Sequence, residues 1–232
     1  MRVAAIVVAA GAGRRVGAGI AKTYLPIAGR PLVLRTLDRL FSTPIVNQVI
    51  LVIAAGEVER CKALLRADTA LRDRPWLLQT GGATRQQSAR RGLEKVEADI
   101  DIVIIHDGAR PFVSAALIER SVAEAADKGA VVVGLPARDT IKKISSDGYV
   151  ETTPARGSLW EVQTPQVFRR ELIVAAHEKA AGDEVEVTDD AMVVERMGEP
   201  VFVIEGERLN FKITVPDDVW LAELLIREGR VF

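Results

Sequence analysis

Short apolar runs alternate along the chain with longer segments whose apolar positions recur at helical spacing. Five runs predict buried strands, at 2–9, 48–54, 76–79, 102–106 and 130–135. Between them, two apolar stripes recur every three or four residues: Val33, Leu37, Leu40 and Phe41 in one, and Ile118, Val122, Ala125 and Ala126 in the other. Strands that alternate with helices in this way indicate βαβ units. The pattern predicts an α/β fold, a Rossmann-like and mostly parallel sheet with helices on both faces.

Two of the predicted helices begin with typical capping residues. Thr84 followed by Gln87 forms a capping-box pattern. Pro216 followed by two aspartates suits the first turn of the last helix, because proline lacks an N–H group and acids stabilise the positive end of the helix dipole. The apolar residues of that last helix predict a buried stripe of Trp220, Leu221, Leu224 and Leu225.

The alternation breaks between residues 138 and 160. Two strand-like runs are joined there by Ser146, Asp147 and Gly148, in the string D-T-I-K-K-I-S-S-D-G-Y-V-E-T-T, which is a β-hairpin signal. We interpret this hairpin as an arm that projects from the α/β body. Since no Pro/Gly/Ser-rich linker divides the chain, the sequence predicts one domain over 1–232 with an arm at about 138–160.

Composition narrows the class of ligand. The 232 residues include 31 basic and 32 acidic side chains, and only 5% are aromatic. Nucleic acids demand a basic face and favour aromatic stacking platforms, so we expect a small ligand and no nucleic-acid partner. No segment approaches the roughly 20 apolar residues of a membrane span, and the run at 3–10 is interpreted as a strand, not a signal peptide. The lone Cys61 cannot form an internal disulfide, so a cytoplasmic location is expected.

A glycine-rich basic loop follows the first predicted strand. The string A-A-G-A-G-R-R-V-G covers residues 9–17, where backbone N–H groups and two arginines could surround a phosphate. A dinucleotide-binding loop would have glycine where Val16 stands, and a P-loop would have glycine in place of Ala21, directly before Lys22. Both motifs fail on spacing, which favours another kind of triphosphate loop. The alternative is a tight strand-to-helix turn whose arginines are a solvated surface pair.

Further charged residues follow predicted strands or interrupt apolar runs. Asp107 comes at the carboxyl end of a strand, where open α/β sheets place their ligands; it could hold a divalent cation or accept hydrogen bonds from its own loop. Lys212 is a lone cation in an apolar run, whereas His106 is typical of a packed strand end. Three polar clusters could simply cap helices or close turns: Arg138-Asp139-Thr140, Arg156 with Thr164-Pro165-Gln166, and Thr188-Asp189-Asp190.

Eight strings, taken in order, give the chain a resemblance to a known family. They are A-A-G-A-G-R-R, K-T-Y-L, G-G-A-T-R-Q-Q-S, H-D-G-A-R-P, R-D-T-I-K, L-W-E-V-Q-T-P-Q-V-F, V-T-D-D-A and N-F-K-I-T-V-P-D-D. The chain resembles the 2-C-methyl-D-erythritol 4-phosphate cytidylyltransferases of the non-mevalonate isoprenoid pathway. The resemblance spans nearly the whole chain. It implies a nucleotidyltransferase that passes CMP from CTP to methylerythritol phosphate, uses Mg²⁺ or another divalent cation, and forms a homodimer through the hairpin arm.

The resemblance also implies roles for individual residues. The nucleotide would be bound by Ala9, Ala10, Gly11, Gly13, Gly82, Ala83 and Ser88, the last three on the cytosine side. The catalytic cations would be Arg15, Lys22 and Lys212. The methylerythritol phosphate would be held by Asp107, Arg110, Thr140, Arg156 and Thr188, with Asp107 also binding the metal. Ala83 departs from the acidic residue common in the family, so base recognition there is expected through the backbone.

Three alternatives stay open on the sequence alone. The chain could be a cytidylyltransferase for another polyol phosphate such as ribitol 5-phosphate. It could be a non-catalytic regulator that binds CTP, although Lys22, Asp107 and Lys212 are more convergent charges than binding alone needs. An NAD-dependent reductase is the third alternative, and Val16 argues against it.

Overall fold

The computed structural model describes residues 1–11, 21–183 and 185–231. In these ranges the strands are β1 Val3–Val8, β2 Pro26–Ile27, β3 Arg30–Pro31, β4 Gln48–Ile53, β5 Trp76–Thr80, β6 Ile102–Asp107, β7 Ala130–Pro136, β8 Lys143–Ile144, β9 Val150–Thr152, β10 Trp160–Arg169 and β11 Phe202–Glu205. The helices are α1 Leu32–Phe41, α2 Val58–Ala67, α3 Arg85–Leu93, α4 Ala115–Lys128, α5 Arg170–Gly182, α6 Asp190–Arg196 and α7 Pro216–Arg227.

The central sheet has the strand order β11-β7-β10-β6-β1-β4-β5. All five predicted strands are present in it, as β1, β4, β5, β6 and β7, and the α/β fold is confirmed. Every neighbouring pair is parallel except the two that involve β10. From β1 the chain adds β4 and β5 on one side and then returns to β6 on the other. The strand order therefore reverses between β1 and β6, which is where open α/β sheets bind their ligands.

Both faces of the sheet are buried under helices. In β1 the alternating side chains Val3, Ala5 and Val7 pack with α1, α2 and α4, whereas Ala4 and Ile6 pack with α3, α5 and α6. A strand that is covered on both faces is apolar at most of its positions, which is why these strands appear as nearly continuous apolar runs in the sequence.

The long strand β10 is absent from the prediction. The sequence allows Thr164, Pro165 and Gln166 to cap a helix or close a turn, but in the structure all three lie inside β10 and are buried. The strand tolerates proline because its register shifts between Gln163 and Gln166, where the Thr164–Pro165 peptide bond is cis. The edge strand β11 was not predicted either.

The expected buried stripe of α7 is also wrong. Trp220 is 66% exposed and Leu221 is 38% exposed, whereas Ala222 is fully buried. The helix packs through Val219, Ala222 and Ile226 against residues of the β2–β3 segment and their neighbours. Two apolar stripes overlap on this helix, and helical periodicity cannot decide which of them faces the protein.

The predicted hairpin and helix start are present. Strands β8 and β9 pair in antiparallel fashion within 138–160. Thr84 caps α3 by accepting a hydrogen bond from the Gln87 N–H group, while Gln87 Oε1 accepts from the Ala83 N–H group instead of completing the capping box at Thr84. Among the helices of the described ranges, none is long and apolar enough to cross a membrane.

Candidate active site

Three loops meet at the carboxyl ends of β1, β5 and β6. Two glycines allow their close approach. A Cβ atom on Gly81 would lie 2.5 Å from the Ala10 Cβ atom, and one on Gly108 would lie 2.8 Å from the Ala9 Cβ atom. Both separations are far below van der Waals contact, so side chains at these glycines would force the loops apart.

A cavity of about 440 Å³ opens between these loops, within the size range of small-ligand sites. Its walls include nine of the residues that the sequence singled out: Ala9, Ala10, Gly11, Lys22, Gly82, Ala83, Ser88, Asp107 and Lys212. Gly13 and Arg15 lie outside the described residues. The lining combines small residues of the glycine-containing loops with the charged side chains of Lys22, Asp107 and Lys212. Such a lining suits a ligand that has a flat polar part and an anionic part.

The lysines Lys22 and Lys212 come together through one segment near the end of the chain. Lys22 Nζ donates a hydrogen bond of 2.9 Å to the Ile213 carbonyl oxygen. The neighbouring Thr23 hydroxyl donates to the Ala9 carbonyl oxygen at 2.8 Å, which ties this turn to the end of β1. Lys212 Nζ lies 2.8 Å from Asp107 Oδ2. Two cations distant in sequence thus line one cavity.

Asp107 is surrounded by three cations. Besides Lys212, Arg85 Nε lies 3.3 Å from Oδ1 and Arg110 Nε lies 3.7 Å from Oδ2. Burial, the largest single influence, raises the pKa of Asp107, but the charges of Arg85, Lys212 and Arg110 outweigh it and hold the pKa well below its usual range. The carboxylate is therefore ionised at neutral pH.

The donor set fits a divalent cation only if a ligand supplies most of the coordination. Within the described ranges, no group of three or more His, Cys, Asp or Glu side chains could hold a metal ion alone. Mg²⁺ is commonly bound through one or two carboxylates together with substrate phosphates, and Asp107 can supply one such carboxylate at the cavity wall.

His106 is packed behind the site, as its sequence context indicates. It is fully buried, and its ring nitrogens lie 3.1 Å from the Arg110 carbonyl oxygen and 3.1 Å from the Thr164 hydroxyl. Burial lowers the pKa of His106 to about 4, so the ring is neutral. Thr164 also accepts a hydrogen bond from the Asp107 N–H group. Strand β10 therefore fixes the end of β6.

The residues expected to hold the acceptor are dispersed. Arg110 is buried beside Asp107 and donates to the Asn210 carbonyl oxygen at 2.8 Å. Thr140 and Arg156 belong to the exposed arm region, where Arg156 donates to the Arg138 carbonyl oxygen. Thr188 is exposed just before α6. None of these four residues is among the described residues that line the cavity.

One charged residue of the cavity was not singled out from the sequence. Arg85 is the first residue of α3 and lines the cavity. The sequence does contain a signal for this residue: Arg85 directly follows the helix cap Thr84. The helix dipole disfavours a cation in the first turn, so an arginine there indicates nearby acidic partners. Finding those acids, Asp107 and Asp190, requires the tertiary structure.

Comparison with known proteins decides the family. The family model described as 2-C-methyl-D-erythritol 4-phosphate cytidylyltransferase matches residues 3–228. The chain belongs to this family. The cytidylyltransferase of that name from Symbiobacterium thermophilum is 44% identical over 97% of this chain and 93% of its own. Its counterpart from Geobacter metallireducens is 41% identical over 98% and 99%.

Solved structures of the family share the fold. The 4-diphosphocytidyl-2C-methyl-D-erythritol synthase of Anaerococcus prevotii is 32% identical and superposes with a TM-score of 0.85, covering 97% of this chain and 98% of that one. The cytidylyltransferase of Thermus thermophilus is 33% identical with a TM-score of 0.80, over 98% and 100%. This family membership leaves no reason to favour the reductase or the non-catalytic regulator.

Proposed function

We propose that the protein transfers CMP from CTP to 2-C-methyl-D-erythritol 4-phosphate, giving 4-diphosphocytidyl-2-C-methyl-D-erythritol and pyrophosphate, with the roles set out below. The observation that carries these roles is the meeting of Lys22, Lys212 and Asp107 with the glycine loops in one cavity. A cytoplasmic location and a single domain over 1–232 belong to the same proposal.

The reaction needs positioning more than it needs a base. A phosphate oxygen of the acceptor attacks the α-phosphorus of CTP, a new P–O bond forms, and the bond to the pyrophosphate oxygen breaks. A phosphate monoester has a second pKa near 6 and is mostly dianionic at neutral pH. The acceptor is therefore already a nucleophile, and the protein must bring two anions together and stabilise the charge that develops.

Lys22 and Lys212 supply the positive charge that compensates the developing negative charge. Both line the cavity, and Lys212 lies at 2.8 Å from Asp107, so it can pass between this carboxylate and a phosphate oxygen with little movement. Arg15 completes the set in this proposal. Asp107 would hold the divalent cation, such as Mg²⁺, and the hydroxyls of the acceptor. When bound, the cation would neutralise phosphate charge and orient the reacting groups.

The backbone of the β5–α3 loop suits cytosine. The N–H group of Gly82 donates to Ser88 Oγ, and that of Ala83 donates to Gln87 Oε1. With these donors engaged inside the loop, the carbonyl oxygens of Gly82 and Ala83 are the groups that the loop can offer to a base. Cytosine presents an amino group where uracil presents an oxygen, so an acceptor-rich loop favours CTP over UTP.

The arm provides the dimer contact in this proposal. Large apolar side chains on it are exposed, with Tyr149 at 77%, Val150 at 55% and Ile144 at 51%. Isolated two-stranded hairpins are marginal in water, and an exposed apolar surface of this kind is typical of an interface. Thr140 and Arg156, which lie apart from the cavity of their own chain, would then serve the site of the partner subunit.

The acceptor decides between the proposal and its nearest alternative. Pyrophosphate release from CTP would be measured with methylerythritol phosphate and ribitol 5-phosphate side by side. We expect rapid release with the first and little with the second. Preference for ribitol 5-phosphate would overturn the proposed acceptor. Calorimetric binding of CTP, with no release of pyrophosphate from CTP in the presence of either acceptor, would support a regulator instead.

A further inference from the structure

A second carboxylate lies behind Asp107 in the interior of the protein. Asp190 is the first residue of α6, and its side chain is 1% exposed. Its Oδ2 atom is 2.6 Å from a terminal guanidinium nitrogen of Arg85, and its Oδ1 atom is 3.2 Å from His177 Nε2. The same Arg85 reaches Asp107 Oδ1 through its Nε atom at 3.3 Å. A chain of polar contacts therefore runs from the cavity wall into the core.

Placing the Arg85 guanidinium at this site costs free energy unless the carboxylates of Asp107 and Asp190 are both present. The residue begins α3, where the helix dipole disfavours a cation, and its side chain is 26% exposed. Burial lowers the pKa of Arg85, yet Asp190 and Asp107 together raise it above its usual value. The guanidinium thus stays charged between the two carboxylates, which its planar fork can bridge.

The partners of Arg85 are held on a rigid base. Gln166 Oε1, on strand β10, accepts hydrogen bonds from the Asp190 and Ala191 N–H groups at 3.0 and 3.1 Å. The Gln86 amide donates to the Val185 carbonyl oxygen, and its oxygen accepts from the Val187 N–H group. The starts of α3 and α6 are therefore fixed relative to each other and to the sheet.

This arrangement controls the orientation of the Asp107 carboxylate. Arg85 occupies its Oδ1 atom, so that Oδ2 faces Lys212 at 2.8 Å and, more distantly, Arg110 at 3.7 Å. Without Asp190, the Arg85 fork could turn and take both oxygens of Asp107, because bidentate pairing is the stronger geometry. Lys212 would then lose the partner that holds it at the cavity wall.

We propose that Arg85 and Asp190 are positioning residues for cytidylyl transfer: Asp190 anchors Arg85, and Arg85 fixes the Asp107 carboxylate that orients Lys212. The inference deepens the proposed function and rests on the roles given there to Asp107 and Lys212. Asp190 is buried and is not among the described residues that line the cavity, so in this proposal it acts through Arg85.

The test is a double-mutant cycle on the full-length enzyme. Arg85→Gln and Asp190→Asn are each expected to lower kcat about 10- to 100-fold, the usual cost of losing a residue that supports a reacting site, with a much smaller change in the KM for CTP. Because Asp190 acts through Arg85, the double variant should be no slower than Arg85→Gln alone. Arg90→Gln, an exposed change on the same helix, is the matched control and should leave kcat unchanged.

Thermal unfolding gives a second readout. In Arg85→Gln the buried Asp190 carboxylate loses the guanidinium that paired with it. The double variant, which also carries Asp190→Asn, should therefore have a higher Tm than Arg85→Gln alone, with no recovery of kcat. Arg85→Lys keeps the charge but cannot bridge two carboxylates, and it should lose kcat while remaining folded. Multiplicative losses of kcat in the double variant, or a normal kcat in Arg85→Lys, would overturn the inference. A failure of the proposed function would instead appear in the wild-type enzyme, which would release no pyrophosphate from CTP when methylerythritol phosphate is the acceptor.

Discussion

At the scale of single residues, the site depends on side chains whose partners are far away in sequence. Lys22 donates to the carbonyl oxygen of Ile213, 191 residues along the chain, and this contact places it beside the segment that carries Lys212. The sequence shows that both residues are lysines. It does not show which group each lysine contacts, because no local pattern predicts a contact between residues that are far apart along the chain.

Replacing Lys22 by alanine tests its catalytic role. A group that stabilises charge in the transition state is worth about 100- to 1000-fold in rate, so we expect Lys22→Ala to lose that much kcat. Circular dichroism should show an unchanged fold. Lys179→Ala, which removes an exposed lysine from α5, is the control and should have normal kcat. Near-normal turnover in Lys22→Ala would remove this lysine from the mechanism.

At the scale of elements, the strand ends are brought together by glycines. Gly81, after β5, packs so closely that a Cβ atom would lie 2.5 Å from the Ala10 Cβ atom and 2.8 Å from Ser88 Oγ. The end of β5 and the end of β1 therefore form one wall of the cavity. The sequence shows a pair of glycines at 81 and 82, but not the loop that they approach.

Gly81→Ala should separate these two loops. We expect a loss of about 1–3 kcal/mol in the free energy of unfolding, the usual cost of overpacking, and a higher KM for CTP. Gly56→Ala is the matched control, since a Cβ atom there meets nothing within 4 Å. Urea unfolding and pyrophosphate-release kinetics measure both effects. If the two variants proved equally stable and equally active, the close approach of the loops would not shape the site.

At the scale of the whole molecule, the arm could serve the site of its own subunit or the site of a partner subunit. Thr140 and Arg156 lie on or beside an exposed hairpin, outside the cavity lining that the described residues form. In a symmetric dimer the arm of each subunit would serve the site of the other. Two variants that are inactive alone can then complement each other.

Mixing Lys22→Ala with Arg156→Ala subunits tests this arrangement. If Arg156 acts across the dimer, a mixed dimer has one intact site, and random reassociation of equal amounts should restore about a quarter of the wild-type rate. If Arg156 acts in its own subunit, every site in the mixture carries a defect and no activity returns. Analytical ultracentrifugation of the same samples gives the oligomeric state, and a monomer would contradict the proposed dimer.

Much of the fold could be predicted because its strands are covered on both faces. Continuous apolar runs such as those of β1 and β6 are distinctive, and they mark the positions of the strand ends where ligands bind. The antiparallel strand β10 could not be found in this way. Its proline and polar residues are typical of a turn, and only the bulge and the contacts of Gln166 explain how they fit inside the sheet.

The sequence by itself determined the types of residue at the site, the strands that carry them and the family, because these depend on local order and spacing. The tertiary structure alone decided which stripe of α7 is buried, how β10 supports the end of β6, and that Arg85 stands between Asp107 and Asp190. The physical reason is the same in each case. Ion pairs and packing contacts act through space over a few ångströms, and residues that are far apart along the chain become neighbours only after folding.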